Sequence, residues 1–227
     1  MVKIWEDQTM GPWELVGAIA DITEDQRGFI TAAQTRTLGI DGAVLAGMVK
    51  ARVLNPVRVD VWRIRGFDDM ETYDDVYAWW LALRPELPAA ARTPENSPVL
   101  SHFGAAHIYG YFSPGIASNI CLVAPGITLS SAQTEGRCME YQIPESSVVS
   151  WKTALVTDPE RTALDLVHAG IDLETFGKVL EKMLQTGLTS PETIAQEIDI
   201  WAKQNDMGSG SDFVGAALLA TKPGNRW

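Results

Sequence analysis

Basic side chains are concentrated in one stretch of an otherwise acidic chain. The sequence of 227 residues has a formal net charge of −11. Residues 28–66 contain six basic and two acidic residues, so this stretch carries +4 and the remainder of the chain −15. A local patch of guanidinium and ammonium groups is suited to contacting phosphate oxygens, and we expect a polyanion to bind here. The basic residues are Arg36, Lys50, Arg52, Arg58, Arg63 and Arg65.

Capping and turn signals divide this stretch into structural elements. Thr31 is suited to cap a short helix that ends at Gly39, because glycine accepts the left-handed conformation just past a helix end. Asp41 is suited to cap a second helix, and an Asn-Pro turn signal precedes a β-rich run at residues 57–64. Helix, turn, helix and hairpin in this order predict a winged helix-turn-helix domain. We therefore add Thr31 to the six basic residues as a candidate DNA contact.

The second of these helices lacks the side chains that usually read bases. Between Asp41 and Lys50 it contains only glycine and apolar residues, with no Arg, Asn, Gln or Lys to meet a base edge in the major groove. A helix that is apolar all round is usually buried or lies in an interface. Two interpretations follow: DNA binding dominated by phosphate contacts, or a winged-helix fold used for packing or dimerisation. The candidate interface residues are Val44, Leu45 and Met48.

Residues that carry enzymatic chemistry do not form a recognisable set. Ser101 next to His102 suggests a nucleophile beside a base, but no G-x-S-x-G elbow surrounds the serine, which is better suited to cap a helix. His102 and His107 would point roughly 140° apart on one helix. The three histidines lack metal-ligand spacing with cysteine or carboxylate residues. We predict a protein that is not an enzyme, with no catalytic residue, metal site or cofactor.

The cellular compartment is predicted from the missing export and membrane signals. The N-terminal residues lack a basic region followed by an apolar core, and no apolar run approaches the ~18 residues of a membrane span. We expect a cytoplasmic protein with no membrane partner. Cys121 and Cys138 fall in segments predicted to be neighbouring strands, and in the cytoplasm we expect buried free thiols rather than a disulfide.

The rest of the chain predicts a larger part with both helices and strands. The acidic residues of 68–75 are typical of a solvated helix start, and the four prolines of 85–98 favour an exposed connection or linker. The predicted fold class is α+β. It comprises a winged helix-turn-helix domain at residues 1–67, a mixed α/β domain ending in helices at 68–207, and a flexible break with a short terminal helix at 208–227.

Several stretches, taken in order, resemble a known family. They are GFITAAQTRTLGI, GAVLAGMVKARVL and VDVWRI near the N-terminus, VLSHFGAAHIYGY in the middle and VTDPERTALDLV later in the chain. In this order and at these separations they resemble the AbiEi-type antitoxins, which are also described as transcriptional regulators of abortive-infection, type IV toxin–antitoxin systems. The likeness covers roughly residues 13–185.

The resemblance implies a fold, a function and partners. It implies a winged helix-turn-helix that binds operator DNA and represses its own operon, with a first helix at residues 31–38, a recognition helix at 41–51 and a wing at 57–63. It also implies a C-terminal domain that opposes a nucleotidyltransferase-like toxin encoded beside it. We expect an antitoxin and transcriptional autoregulator that binds DNA as a homodimer. The alternative is a protein-binding antitoxin or scaffold whose winged-helix domain is an interface and does not read DNA.

Overall fold

The computed structural model describes residues 12–67, 73–112, 119–130, 136–141 and 143–222 and has a mixed α+β architecture. Helix, strand, two helices and a hairpin follow one another in the N-terminal part, which is the order predicted for a winged helix-turn-helix. These elements are α1 (Pro12–Glu24), β1 (Phe29–Thr31), α2 (Ala32–Thr37), α3 (Gly42–Lys50), β2 (Leu54–Arg58) and β3 (Val61–Ile64).

The predicted helix starts in this part are confirmed. The Thr31 hydroxyl accepts a hydrogen bond from the backbone N–H of Gln34, whose side chain accepts one from the N–H of Thr31, forming a capping box. The Asp41 carboxylate accepts from the N–H groups of Ala43 and Val44, both at 2.8 Å. Gly39 follows α2 with a φ of +71°. Local capping chemistry therefore sets where α2 and α3 begin.

The three-stranded sheet is covered on both faces. β3 lies between β1 and β2 in antiparallel pairing, with Phe29 opposite Arg63 and Ile30 opposite Trp62. Because side chains alternate along a strand, Ile30 and Trp62 face the core of the N-terminal helices, whereas Phe29 and Arg63 face the rest of the protein. Residues from α1 and α3 complete the N-terminal core: Leu15, Ile19, Val44 and Met48.

The larger part of the chain combines strands and helices. It begins with α4 (Asp74–Leu83), β4 (Val99–Ser101), α5 (His102–Ile108), β5 (Ile120–Val123) and β6 (Arg137–Glu140). It continues with β7 (Val148–Trp151), β8 (Ala154–Thr157), α6 (Pro159–His168), α7 (Leu173–Gln185), α8 (Pro191–Gln204) and α9 (Gly210–Ala220). The strands form one mixed sheet in the order β6-β5-β4-β8-β7, in which β4 is parallel to β8 and β5 is parallel to β6.

Helix α4 is almost fully buried and packs against the three-stranded sheet and α5. Each residue from Val76 to Leu83 is at most 3% exposed. Asp74 in the first turn was predicted to be solvated but is buried, where its carboxylate pairs with the Arg63 guanidinium. This ion pair joins the three-stranded sheet to the larger part of the protein. Asp75, in the same turn, is exposed as predicted, and the acidic residues at 68, 69 and 71 lie outside the described residues.

The proline-rich stretch 85–98 is packed against α4 and is only partly exposed, whereas the sequence predicted an exposed connection or linker. Arg92 in this stretch is buried, and its guanidinium donates to the carbonyl groups of Trp80 at 2.8 Å, Leu81 at 2.9 Å and Arg84 at 2.7 Å. A cation at the C-terminal end of a helix interacts favourably with the helix dipole. Burial lowers the pKa of Arg92 to about 9. The stretch therefore closes the end of α4.

The C-terminal helices start at side-chain caps. Asp158 followed by Pro159 is a pattern typical of a helix start, and the Asp158 carboxylate caps α6 with Pro159 in the first position. The final helix is capped by Ser209, in a capping box with Asp212. Gly210 lies so close to the Ala195 carbonyl that a Cβ atom would approach it to 2.0 Å. Close packing on α8 therefore requires glycine at this position.

The buried ion pair makes a prediction for stability. Arg63→Met or Asp74→Asn leaves one buried charge without its partner, so each should lower the free energy of unfolding by about 3–5 kcal/mol. Chemical denaturation measures this effect. The control Arg65→Met, at an exposed position, should change stability by no more than about 0.5 kcal/mol. The double variant should lose less free energy of unfolding than the sum of the two single losses. Small losses that add up would contradict an energetic coupling between Arg63 and Asp74.

Candidate nucleic-acid interface

Three of the predicted cations lie at one end of the β2–β3 hairpin. Leu54 pairs with Ile64, and the Arg65 N–H donates to the Val53 carbonyl at 3.0 Å. Arg65 therefore lies beside the segment that carries Lys50 and Arg52 from the end of α3. All three side chains are exposed, and none has an ion-pair partner within the described part of the chain. This arrangement, which we call the hairpin-base cluster, comprises Lys50, Arg52 and Arg65.

Two other predicted cations lie apart from the hairpin-base cluster. Arg58 is half-buried at the far end of β2, beside the turn at Val59 and Asp60. Five residues of strand, at about 3.3 Å per residue, place it roughly 13 Å from the start of β2. Arg36 is exposed in the last turn of α2. The structure therefore distributes the basic residues over one main cluster and two outlying positions.

Thr31 and Arg63 do not lie on an accessible surface, which corrects their assignment as DNA contacts. Thr31 is fully buried: its hydroxyl caps α2 and donates to the Pro85 carbonyl. Arg63 is 7% exposed, with its guanidinium paired to Asp74 and lying 5.2 Å from the centre of the Phe29 ring. Both side chains are used in joining the N-terminal sheet to the larger part of the protein.

Helix α3 exposes small residues rather than the predicted apolar interface. Val44 is 3% and Met48 6% exposed, so these two side chains belong to the core and are not available to a dimer partner. Leu45 is half-buried. A helical stripe of exposed residues runs through Ala43 and Ala46 to Lys50. The exposed face of this helix therefore offers one cation and no base-reading side chain.

A shallow groove separates α2 from α3. Its volume is about 520 Å³, and its lining residues are Ala32, Thr35, Arg36, Gly39, Ile40, Asp41, Gly42 and Leu45. One charged residue of each sign, Arg36 and Asp41, lies in this mainly apolar lining. The groove is wide and open, which makes it a contact surface and not an enclosed ligand site.

The N-terminal part has an uneven charge distribution. Helix α1 contains no lysine or arginine, and its acidic side chains Glu14, Asp21 and Glu24 are exposed, as is the following Asp25. The hairpin-base cluster, on a different side of the same core, contains only cations. Such a separation of charge orients a polyanion toward the basic side and away from α1.

The Ser101 and His102 side chains form a buried polar cluster with Asp165. The Ser101 hydroxyl lies 2.9 Å from His102 Nδ1, which is 3.8 Å from an Asp165 carboxylate oxygen. The other oxygen of Asp165 accepts from Arg161 Nε at 2.7 Å, an i, i+4 pair on α6. Ser101 occupies the N-cap position of α5, but its hydroxyl does not cap the helix. Sequence reasoning missed Asp165 as a neighbour of His102, since this contact depends on the parallel pairing of β4 with β8.

Burial dominates the electrostatics of this cluster. Desolvation raises the pKa of Asp165 to about 6, despite the opposing effect of Arg161. Desolvation lowers the pKa of His102 to about 4, and the charge of Arg161 acts in the same direction. Ser101 is fully buried, so its hydroxyl is not accessible to a substrate. His107 lies elsewhere, with Nδ1 3.4 Å from the Asn119 side-chain oxygen. The contacts among Ser101, His102 and Asp165 hold the β4–α5 and β8–α6 junctions together.

The described residues contain neither a metal-binding cluster nor a membrane-spanning helix. Among them, no group of three or more histidine, cysteine or carboxylate side chains is placed to hold a metal ion. Their helices are all too short or too polar to cross a bilayer.

Comparison with known proteins gives a distant structural likeness. No family model matches the chain, and no curated protein matches it. The chain is similar to the crystal structure of the RV2827C protein from Mycobacterium tuberculosis, with a TM-score of 0.49 and 11% sequence identity over 92% of this chain and 80% of that one. A likeness this distant carries no information about function.

The opposite pKa shifts of His102 and Asp165 predict a pH dependence of stability. The folded state disfavours protonated His102, so its contribution to stability is complete above pH 6.5 and is lost as the pH falls toward 4. Asp165 acts in the opposite sense: the folded state holds its proton more tightly, so stability is gained as the pH falls from about 6 toward 4. The two effects largely offset each other in the natural protein.

Replacing His102 should reveal the Asp165 contribution. Asparagine tolerates the left-handed backbone of this position, where φ is +48°. Relative to the unmodified protein, His102→Asn should gain about 2–3 kcal/mol of stability between pH 7 and pH 4, measured by urea unfolding across that range. His168→Asn, at an exposed position on α6, is the control and should show a smaller change. If the free energy of unfolding of His102→Asn follows that of the unmodified protein in parallel across this pH range, the folded state does not resist protonation of His102.

Proposed function

We propose that this protein is a cytoplasmic antitoxin and transcriptional autoregulator that binds operator DNA and opposes a nucleotidyltransferase-like toxin. The observation that carries the DNA-binding half is the hairpin-base cluster: three exposed cations without ion-pair partners in the described chain, on a part whose first helix is acidic. The element order of a winged helix-turn-helix supports the same half. The antitoxin half follows from the family resemblance of the sequence.

DNA binding of this kind depends on phosphate contacts more than on base contacts. Lys50, Arg52 and Arg65 have the charge and exposure to pair with phosphate oxygens. The exposed stripe of α3 presents Ala43 and Ala46, which have no hydrogen-bonding groups for base edges. Affinity should therefore fall steeply with salt, and preference among sequences should be modest.

A protein-binding antitoxin or scaffold is the second candidate, favoured by the same face of α3. The small residues Ala43 and Ala46 allow close approach of a partner backbone, and the groove beside Leu45 is mainly apolar. A homodimer in either case cannot use Val44 or Met48, since both are core residues. Partner binding through this face would persist at high salt, whereas phosphate-dominated binding would not.

Salt titration tests the DNA-binding half. Binding of a labelled duplex from the region upstream of the gene is measured by fluorescence anisotropy over a series of salt concentrations. Lys50→Gln and Arg52→Gln should each reduce the slope of log K against log salt by about 0.9, because each removes one phosphate contact. The matched control Lys178→Gln, an exposed lysine of α7 that pairs with Glu174, should leave the slope unchanged. If no salt-sensitive binding is observed at low ionic strength, the proposal that the protein binds DNA is contradicted.

Separation of the two activities tests the antitoxin half. The protein is co-expressed with the product of the neighbouring gene, and cell growth is measured beside a reporter driven by the upstream promoter. The Lys50→Gln/Arg52→Gln double variant should relieve repression of the reporter while still protecting growth, because neutralisation is assigned to the C-terminal part. Failure of the unmodified protein to protect growth would contradict the antitoxin assignment, and loss of both activities together in the double variant would contradict their separation.

A further inference from the structure

Cys121 and Cys138 are directly opposite each other on neighbouring parallel strands. The pairing of β5 with β6 places these two residues in register. Neighbouring strands lie about 4.8 Å apart, within the Cα separation of about 4.4–6.8 Å that disulfides require. Paired positions project from the same face of a sheet, and the two thiols are hydrogen-bonded to each other. Both cysteines are reduced in the structure.

The two thiols differ in exposure. Cys121 is fully buried in the core, as predicted, but Cys138 is exposed, which corrects the expectation that both thiols are buried. Strand β6 is an edge strand, so one side of Cys138 is open to solvent. An exposed thiol in contact with a buried one has the arrangement of a reactive cysteine beside a resolving cysteine.

We propose that Cys138 is an oxidation site for peroxides and that Cys121 resolves the oxidised thiol into a reversible intrachain disulfide. The hydrogen bond from Cys121 lowers the pKa of Cys138, which increases its thiolate fraction, while burial raises the pKa of Cys121. Both effects direct the first oxidation to Cys138. This site is independent of the proposed DNA-binding surface.

The reaction balances with hydrogen peroxide as the oxidant. The Cys138 thiolate attacks one peroxide oxygen, the O–O bond breaks, and the departing hydroxide takes up a proton to form water, which leaves a sulfenic acid on Cys138. The Cys121 sulfur then attacks the Cys138 sulfur, the S–O bond breaks, and the thiol proton leaves with the oxygen in a second water molecule. Two thiols are oxidised to one disulfide as one peroxide is reduced to two waters.

The disulfide would tie the edge strand to the sheet covalently. Among the strands that the structure describes, β6 pairs only with β5. A bond between Cys121 and Cys138 closes the chain between these strands and opposes local opening of β6. Hydrogen exchange at β6 should therefore slow on oxidation, and the addition of a dithiol reductant should restore the original rate.

Intact-mass spectrometry of the full chain tests the proposal. Reduced protein is treated with a small molar excess of hydrogen peroxide, free thiols are alkylated, and the disulfide is mapped by peptide analysis. The unmodified protein should lose two hydrogens and both alkylation sites, and dithiothreitol should restore them. Sulfenic acid that persists at Cys138 in the unmodified protein, or a disulfide only between chains, would overturn the proposal.

Two single variants assign the roles of the thiols. Cys121→Ser should accumulate a Cys138 sulfenic acid that dimedone traps, because the resolving thiol is missing. Cys138→Ser should react with peroxide at least tenfold more slowly than the unmodified protein, because Cys121 is buried. Equal rates for the two variants would overturn the assignment of Cys138 as the first site. The result for the unmodified protein does not depend on whether either variant folds.

Discussion

The buried ion pair between Arg63 and Asp74 is the interaction on which the arrangement of the N-terminal part depends. Arg63 lies on β3, the central strand of a sheet that is covered on both faces, and Asp74 begins the buried helix α4. A shift of β3 by one residue would turn Arg63 toward the apolar core of the N-terminal helices and remove its partner. Because an unpaired buried charge lowers the free energy of unfolding, the pair favours one register of the sheet and one packing position of that sheet against α4.

The same constraint determines which groups remain for binding. Arg63 neutralises a buried carboxylate and Thr31 caps a helix, so neither contributes to the surface. The remaining positive charge is concentrated at the hairpin base, opposite in sign to the exposed side chains of α1. A hydrogen-bonded pair of glutamines, Gln26 and Gln34, extends the contact to the N–H of Ala89 at 2.9 Å. The N-terminal part is therefore held to the larger part by buried polar groups as well as by apolar packing.

Two of the stretches that carry the family resemblance are neighbours in space. VLSHFGAAHIYGY supplies β4 and α5, VTDPERTALDLV supplies β8 and α6, and the parallel pairing of β4 with β8 brings His102 against Asp165. Ser101, His102 and Asp165 are buried, so these stretches contribute to the stability of the strand–helix junctions. The exposed cations of the hairpin-base cluster lie outside these two stretches.

Helix starts at Thr31, Asp41 and Asp158 were predictable from the sequence because a cap depends on hydrogen bonds to backbone groups two or three residues away. The order of elements in the N-terminal part and the α+β class followed from the same local signals. Only the tertiary structure decided that Arg63 is buried and that residues 85–98 close the end of α4 through Arg92. It also decided that Cys121 faces Cys138 in register. Burial and strand pairing depend on groups far apart in the chain, and no local pattern specifies which of them meet.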